Sequence, residues 1–507
     1  MSSKLASQKK IERFIEEASS TINEAYWFIK ERLLVRQLMD SSTPIIYIKT
    51  EDLQIGAHYV QIDLIVSLRA TFLTNNSFEK RFHLKNLLAS ISEGYKLIMN
   101  FGKQRKYSLL MLLKEDVIKL RDGKLLDKFD DITSKLELFG DTEINQNLRN
   151  LTLHYDNDMM KVYDATVNLK SEDDCVKKAC IFFELIQEIK LFCREVDGNV
   201  KDKFGQDKPI PCGSVKLDIM KTHGALKMTI NPEGKLKDIL NNILPGALNG
   251  LDFLAYKNKS MEKIKNFIEE NTPLACMIPE IQKIELLDPE FQNIKMLINN
   301  EMLLRFMILD FVAIIDAYLY SKSDIESAMN FRRVMVTKTS ALIHLYGYEK
   351  HEKDQSVWCS IKKMVPTGNQ LLKDKMNKID TLLSSLGNNK EEKNLRAKYV
   401  HLFDNKKHCG NLKEVLESVE QLDPTIHLVE VMLMLEIYKR VTSFTQQLLE
   451  TLAINIHEEN VENTKKILDK TDEAIEKLYS SALPGNVRKI FVEIINKIKI
   501  MVKMNDT

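Results

Sequence analysis

The amino-acid sequence predicts a mainly α-helical protein, made of two related helical-bundle units in tandem, with a minor β element in the first half. Three observations lead to this fold class. The 507 residues include only 17 Gly and 11 Pro, so few residues interrupt helices. Apolar residues recur at helical spacing, with charged residues between them. A pattern of residues from the first half returns in the second half.

The helical periodicity is clearest in four segments, taken in chain order. In each segment apolar side chains recur every three or four positions, which places them on one face of a helix. We therefore expect amphipathic helices that pack into bundles. The segments are Ile11-Phe14-Ile15, Leu64-Leu68-Phe72, Leu84-Leu87-Leu88-Ile91 and Val429-Met432-Leu433.

Strand signals are confined to short pieces of the first half. The segment Pro44–Lys49 is rich in Ile, which favours extended backbone. Apolar and polar residues alternate in Val215–Ile219 and again in Leu226–Ile230. We expect a short strand at 44–49 and a β-hairpin formed by the other two segments.

Composition and charge exclude several classes of protein. Lys and Arg number 73 against 72 Asp and Glu, so the net charge of +1 creates no overall field that attracts nucleic acid, and any phosphate-binding surface must be local. The seven Cys show no Cys-x-x-Cys spacing, which argues against a disulfide framework and a zinc site and fits the cytoplasm. The most apolar run, Leu303–Tyr320, contains Arg305, Asp310 and Asp316, and the N-terminus has no apolar signal segment. We expect a cytoplasmic protein without a membrane span, a metal or another cofactor.

One short motif, Arg-x4-His, occurs once in each half of the chain. The first copy is Arg149 and His154, and the second copy, Arg396 and His401, follows 247 positions later. A glycine, Gly140 or Gly387, stands shortly before each copy at the same spacing and is expected to interrupt the chain there.

The repeat extends beyond the motif and predicts the domain boundary. Lys10–Glu17 is matched by Lys263–Glu270 near the start of the second half. The order of matched positions divides the chain into units of residues 1–253 and 254–507. At the spacing of 247 positions, Asp63, Ala70, Glu79 and Lys85 correspond to Asp310, Ala317, Glu326 and Arg332.

An Arg and a His are chemically sufficient to cleave RNA without a metal ion. The guanidinium group is a charged planar fork that fits two phosphate oxygens, and imidazole exchanges protons near neutral pH. RNA supplies its own nucleophile, the 2′-hydroxyl, which DNA lacks. On a helix, residues five positions apart point about 140° from each other, so one copy alone makes a poor active site. Two such helices facing each other across an approximate two-fold axis would bring both pairs to one cleft.

The motif, its helical setting and its duplication resemble the HEPN superfamily, whose members are small helical bundles with Arg-x4–6-His, often Arg-Asn-x3-His. The resemblance covers about 130–160 and 377–407. It implies a metal-independent endoribonuclease of a toxin–antitoxin or antiviral-defence system, with its site between two HEPN-like domains that form an intramolecular pseudo-dimer. By this resemblance, Arg149 and Arg396 hold the scissile phosphate, His154 and His401 are general acid and base, and Asn150 positions the site.

The resemblance also implies partners, and one departure from it keeps a second function open. The partners would be RNA and an antitoxin or regulatory protein, and a homodimer is a further arrangement. The second motif has Ala397 where Asn150 stands in the first. The site is then either unequal between its two halves or decayed. The alternative function is therefore a non-catalytic helical interaction or RNA-binding protein with degenerate HEPN domains.

The remaining basic and aromatic residues are interpreted as structural. Short basic clusters are expected to be solvated faces, with an RNA path as the alternative. His83, Trp27 and Trp358 have no counterpart at the repeat spacing, and we take both Trp side chains as core residues rather than base-stacking platforms. The basic clusters are Lys103–Lys106, Arg332–Arg333, Lys362–Lys363 and Lys406–Lys407.

Overall fold

The computed structural model gives coordinates for the chain, and the regions described below are mostly helical. They comprise residues 2–39, 42–74, 76–144, 159–167, 169, 171–204, 227–228, 251–252, 289–387 and 424–459, with residues 266, 268–269, 472–473, 476–477, 480, 492 and 495–496. The predicted mainly α-helical class is confirmed for these residues.

The first half contains long helices joined by short connections. α1 (Ser2–Leu38) packs against α2 (Ile45–Leu73), and α2 packs against α3 (Ser77–Ile98). The helices that follow are α4 (Lys114–Leu120), α5 (Gly123–Glu143), α6 (Met159–Val167) and α7 (Glu172–Phe204), with 3₁₀ helices at Gly102–Tyr107 and Met111–Leu113.

The second half has a similar order of helices. α8 (Pro289–Leu319) packs against α9 (Asp324–Leu345). The remaining helices are α10 (Lys350–Gln355), α11 (Val357–Lys363), α12 (Gln370–Gly387) and α13 (Pro424–Glu459). The four periodic segments of the sequence lie in α1, α2, α3 and α13, which confirms their prediction as helices.

The β structure leaves the predicted hairpin untested and contradicts the other predicted strand. β1 (Lys227–Met228) pairs antiparallel with β2 (Leu251–Asp252), whereas its expected partner at 215–219 lies outside the described residues. The strand expected at 44–49 is wrong, because α2 begins at Ile45. A short apolar run is compatible with either a strand or a buried helix, and burial of the whole following segment decides for the helix here.

Helix packing follows the same scheme in both halves. The pair α2 and α3 corresponds to the pair α8 and α9, and each pair also packs against a long helix, α7 or α13. In turn α5 packs on α7, and α12 packs on α13. Both α3 and α9 have 22 residues, and each is followed by a residue with positive φ, Asn100 (59°) or Gly347 (81°), 247 positions apart.

The two halves pack directly against each other through these helices. We call the pairs α2–α3 and α8–α9 the two helical hairpins. α3 contacts α8, and α9 contacts α2, so each helical hairpin places one helix on the other. The ring of Phe306 on α8 lies 5.1 Å from Phe82 and 6.1 Å from Phe78, both on α3. One hydrophobic core therefore runs through both halves.

The centre of this core is α2, where every residue from Leu53 to Thr71 is buried. Helices pack on several sides of α2, including α1, α3, α7 and α9. A helix buried in this way must pair the polar side chains that it carries. Among the described residues, no helix has an uninterrupted apolar stretch long enough to cross a membrane.

Candidate functional site

The predicted catalytic residues lie in two segments outside the described residues. Arg149, Asn150 and His154 fall within 145–158, and Arg396 and His401 fall within 388–423. The structure describes the helices that lead into these segments. α5 ends at Glu143 before the first motif, and α12 ends at Gly387 before the second.

The chain leaves the first motif segment at the boundary between the two halves. α6 begins at Met159, five residues after His154, and packs against both α3 and α8. The ring of Tyr163 on α6 lies 6.3 Å from that of Phe306 on α8. On the entering side, Lys178 Nζ donates a hydrogen bond of 2.7 Å to the carbonyl oxygen of Glu143, which fixes the last turn of α5.

Gly140 does not interrupt the chain, which corrects the expectation from the sequence. It lies inside α5, which continues for three further residues to Glu143. A Cβ atom at this position would overlap the hydroxyl and ring of the buried Tyr95. The glycine therefore permits a close approach of α5 to α3, while Gly387 is the last residue of α12.

A cluster of buried charged side chains joins the two halves of the chain. We call it the interface cluster and define it as Asp63, Arg69, Glu79, Lys85, Asp310, Asp316, Glu326, Arg332 and Arg333. Its members come from α2, α3, α8 and α9, so it is built from both helical hairpins. All of them are buried except Asp316, which is partly buried.

Asp63 on α2 is the carboxylate that binds both arginines of α9. Its Oδ1 accepts hydrogen bonds from Arg332 Nη2 at 2.8 Å and from Arg333 Nη2 at 2.7 Å. Arg333 Nη2 also donates to Ser67 Oγ at 2.6 Å, and Arg332 Nη1 donates to Tyr59 Oη at 2.6 Å. These buried bonds give α9 one defined position on α2.

The two guanidinium groups hold Asp63 in its charged form. Burial by itself would raise the pKa of this carboxyl group, because a charged group loses hydration in the interior. The positive charges of Arg332 and Arg333 outweigh burial and lower the pKa of Asp63 to about 2. Burial would lower the pKa of Arg332, but Asp63, together with Tyr59 and Glu93, outweighs burial and raises that pKa.

The Asp63–Arg332 ion pair has a counterpart in which the halves exchange roles. Lys85 on α3 forms a buried ion pair with Asp310 on α8. Asp310 follows Asp63 by 247 positions, and Arg332 follows Lys85 by the same number. Each half therefore supplies an acid from its first hairpin helix and a base from its second, and the two ion pairs are reciprocal.

Two glutamates at matching helix starts form a second set of contacts. Glu79 and Glu326 are each the third residue of their helix, α3 or α9. α3 begins after Asn76, and α9 begins after Ser323. The side chains of Asn76 and Ser323 accept hydrogen bonds from backbone N–H groups in the first turn of these helices. These caps place both carboxyl groups at the interface between the halves.

The partners of the two glutamates differ. Glu326 forms a buried ion pair with Arg69 on α2. The residue 247 positions after Arg69 is Asp316, whose charge and that of Glu79 perturb each other's pKa. One side of the interface thus has an arginine–carboxylate pair, and the other has two carboxyl groups at the equivalent positions.

The carboxyl pair perturbs the titration of both members. Burial and then the adjacent Glu79 raise the pKa of Asp316 to about 8. Burial would also raise the pKa of Glu79, but neighbouring His83, Thr74 and Asp316 outweigh it and lower that pKa. The two groups therefore hold one proton between them at neutral pH.

A small cavity lies between α2, α3, α8 and α9, with about the room that one water molecule needs. Its lining consists of residues 247 positions apart: Ser67 with Ile314, Ala70 with Ala317, His83 with Asn330, and Asn86 with Arg333. The cavity thus lies where equivalent surfaces of the two hairpins meet. Its size excludes a nucleotide.

The basic clusters are of different kinds. The expectation of a solvated face is wrong for Arg332–Arg333, because both side chains are buried and paired with Asp63. Lys103 and Lys106 are exposed, and Lys362 pairs with Asp380 at 3.0 Å. Lys406 and Lys407 lie outside the described residues.

The core interpretation is confirmed for Trp358, which is 1% exposed and donates a 2.8 Å hydrogen bond to Asp380 Oδ1. Trp27 is only partly buried. His83 lies 3.7 Å from Glu79 Oε1, at the edge of the carboxyl pair.

Three members of the interface cluster were not among the positions that the repeat matched: Arg69, Asp316 and Arg333. Arg69 and Asp316 occupy equivalent positions but have opposite charges, so a search for similar residues passes over them. A search for complementary charges at the repeat spacing would have found both.

The side chains that are expected to carry the chemistry, those of the two Arg-x4-His motifs, lie outside the residues that the structure describes. Within the described ranges, no group of three or more His, Cys, Asp or Glu side chains is arranged to hold a metal ion. Cys180 and Cys359 are free thiols. The chain matches no protein-family model, no curated protein and no solved structure.

Proposed function

We propose that this chain is a metal-independent endoribonuclease of the HEPN type. Its active site combines Arg149 and His154 from the first motif with Arg396 and His401 from the second, and Asn150 positions the first pair. Residues 1–253 and 254–507 form two HEPN-like units in this proposal, and together they make an intramolecular pseudo-dimer.

The observation that carries the proposal is the reciprocal contact between the halves. Asp63 binds Arg332 and Lys85 binds Asp310, and both matches have the spacing that separates the two motifs. Two copies of a domain that pack about an approximate two-fold axis produce such reciprocal contacts. The same axis would bring one motif segment towards the other.

The path of the chain supports the same arrangement. The first motif segment ends at α6, which packs on helices of both halves. The second begins after α12, which packs on α13, and α13 contacts α8 and α9. α6 thus adjoins the interface directly, and α12 is linked to the interface helices α8 and α9 through α13.

The proposed chemistry is internal transesterification of RNA. One histidine accepts the proton of a 2′-hydroxyl as O2′ attacks phosphorus, and the P–O5′ bond breaks. The other histidine donates a proton to the leaving O5′. The two arginines stabilise the charge that accumulates on the phosphate oxygens. The products are a 2′,3′-cyclic phosphate and a 5′-hydroxyl.

The test is cleavage of end-labelled single-stranded RNA in the presence of EDTA. The wild-type chain should cut RNA, leave a 2′,3′-cyclic phosphate, and not cut DNA of the same sequence. His154→Ala and His401→Ala should each lower the rate by about 10²–10⁴, because each removes a general acid or base. The double variant should lose little more, since residues that act together are not additive.

A matched control is His351→Ala, which removes an exposed histidine on α10. It should cleave RNA like the wild type, and circular dichroism should be unchanged in all variants. We expect His154→Ala to be more damaging than His401→Ala, because only the first motif carries the polar Asn150. Wild-type cleavage by both single variants, or activity lost in EDTA and restored by a divalent ion, would contradict the proposal.

The second candidate function is a non-catalytic helical interaction or RNA-binding protein. Ala397 favours it, because the second motif lacks the polar residue of the first. RNA binding without cleavage would support this function.

As an endoribonuclease, the chain would act as a toxin or antiviral-defence effector, silenced by an antitoxin or regulatory protein until triggered.

A further inference from the structure

The 3₁₀ helix Gly102–Tyr107, which we call the basic turn, carries three cationic side chains and no acidic one. Lys103 and Lys106 are exposed, and among the described residues neither has a carboxylate within ion-pair distance. The Nζ atom of Lys106 lies 4.8 Å from the ring centroid of Tyr107, which is 36% exposed. The basic turn therefore presents two uncompensated positive charges beside an exposed aromatic ring.

The basic turn is fixed at both of its ends. Before it, the ring of Phe101 lies 4.7 Å from that of the buried Tyr95. After it, the buried Ser108 donates a hydrogen bond of 2.7 Å from its hydroxyl to the carbonyl oxygen of Arg105. Gly102 has a φ of 50°, a left-handed conformation that glycine adopts at little cost. A turn that is ordered in advance loses little conformational entropy when it binds a ligand.

Arg105 attaches the basic turn to α5, the helix that leads to the first motif. Its Nη1 donates a hydrogen bond of 2.7 Å to Glu137 Oε1, and its Nη2 lies 3.7 Å from Asp141, whose side chain is 74% exposed. Glu137 is in the last two turns of α5, about 9 Å along the helix from its end at Glu143. The basic turn thus lies beside the end of α5 from which the chain enters the first motif segment.

The equivalent turn of the second half has a different character. Lys350 and Lys353 of α10 stand 247 positions after the two exposed lysines of the basic turn. At the same spacing Glu352 and Asp354 replace the arginine and the tyrosine. Lys353 is partly buried, with its Nζ 4.9 Å from the ring centroid of the partly buried Tyr346. Of the two turns, that of the first half combines positive charge with an exposed ring.

We propose that the basic turn binds single-stranded RNA beside the first motif, with Lys103 and Lys106 on phosphate groups and the ring of Tyr107 stacked on a base. Lysine side chains bind phosphates and release counterions, and an exposed aromatic ring stacks on the unpaired bases of a single strand. Every nucleotide has both groups, so this surface binds RNA without reading its sequence. The inference rests on the proposed ribonuclease function, which gives the reason for RNA at this end of α5.

The test measures binding of a fluorescent single-stranded RNA with methylated 2′-hydroxyls, which the full chain can bind but not cleave by the proposed route. Fluorescence anisotropy between about 50 and 200 mM salt gives Kd and its salt dependence. Lys103→Gln/Lys106→Gln should weaken binding about 10-fold near 100 mM salt and reduce the slope of log Kd against log salt by about 1.4, since each phosphate contact to a single strand contributes about 0.7. Tyr107→Leu should weaken binding about five-fold with an unchanged slope, because stacking releases no counterions.

The matched control is Lys350→Gln/Lys353→Gln, which removes the equivalent charges from α10 and should leave Kd and the slope nearly unchanged. All variants should keep the wild-type melting temperature, because the substituted side chains of the basic turn are exposed. A wild-type chain that does not bind the RNA, or a Lys103→Gln/Lys106→Gln variant that binds it as tightly as the control, would overturn the inference. Binding as expected, together with failure to cut unmodified RNA, would support the inference and contradict the ribonuclease function.

Discussion

Asp63 on α2 binds both arginines of α9. It is a fully buried carboxylate that binds two guanidinium groups, and both belong to the other half of the chain. Removing one member of a buried ion pair costs more than the pair contributes, because the remaining charge stays in the interior without a partner. At this site two charges would remain.

We expect Asp63→Asn to lower the free energy of unfolding by about 3–5 kcal/mol at pH 7. The deficit should shrink as the pH falls from 5 towards 2.5, because the lowered pKa of Asp63 means that its contribution is present above the usual carboxyl pKa and lost as the pH approaches about 2. Urea unfolding at a series of pH values measures both the loss at pH 7 and its decrease at lower pH. Asp141→Asn should cost less than about 0.5 kcal/mol, and an equally small loss for Asp63→Asn would contradict the prediction.

At this scale the sequence indicates positions better than contacts. The spacing of 247 positions marked Asp63, Lys85, Asp310 and Arg332, and all four lie in the interface cluster. The spacing did not predict that each acid binds the base of the other half, since this depends on how the hairpins pack. Burial of Arg332 and Arg333 was also missed, because a basic dipeptide in a charged chain is usually solvated.

Among the helices, α5 packs closely on α3 because of a glycine that lies outside the Arg-x4-His motif. This helix leads to the first motif segment and contacts Tyr95 of α3 through Gly140. The Tyr95 ring is completely buried and lies 4.7 Å from that of Phe101, so it has little room to move away from an added methyl group.

We predict that Gly140→Ala lowers the free energy of unfolding by about 1–3 kcal/mol, because the added methyl group forces the Tyr95 ring out of its packed position. The matched control is Gly198→Ala in α7, where a Cβ would meet nothing within 4 Å. This control should gain about 0.5–1 kcal/mol, since alanine favours the helix over the unfolded chain. Thermal or urea unfolding distinguishes the two, and a stabilising Gly140→Ala would show that the contact is not tight.

Periodicity predicts helices well and gives less information about where they stop. Gly140 was expected to interrupt the chain, yet α5 runs to Glu143, since a tightly packed glycine inside a helix looks like a breaker in the sequence. Pro44–Lys49 was assigned to a strand because Ile favours extended backbone locally. Ile46 and Tyr47 are buried within α2 by contacts that are distant in sequence, such as that of Tyr47 with Asp197, while Ile45 is 54% exposed.

For the whole molecule, the central question is whether one chain makes a complete active site. If the composite site proposed above forms within one chain, a mixture of His154→Ala and His401→Ala chains should stay as inactive as each variant alone. If the site forms between two chains, the mixture should regain part of the wild-type activity. The cleavage rate per chain should also be constant when the protein is diluted about 100-fold, and a fall on dilution would indicate a homodimer.

The order of synthesis gives the Asp63–Arg332 contact a further consequence. Arg332 follows Asp63 by 269 residues, so a ribosome that adds 5–20 residues per second makes it roughly 15–50 s later. During that interval the Asp63 carboxylate on α2 of the nascent chain lacks both of its arginine partners from α9. The finished interface must therefore assemble late, and a ribosome that stalls before α9 leaves an incomplete chain for chaperones and proteases to recognise.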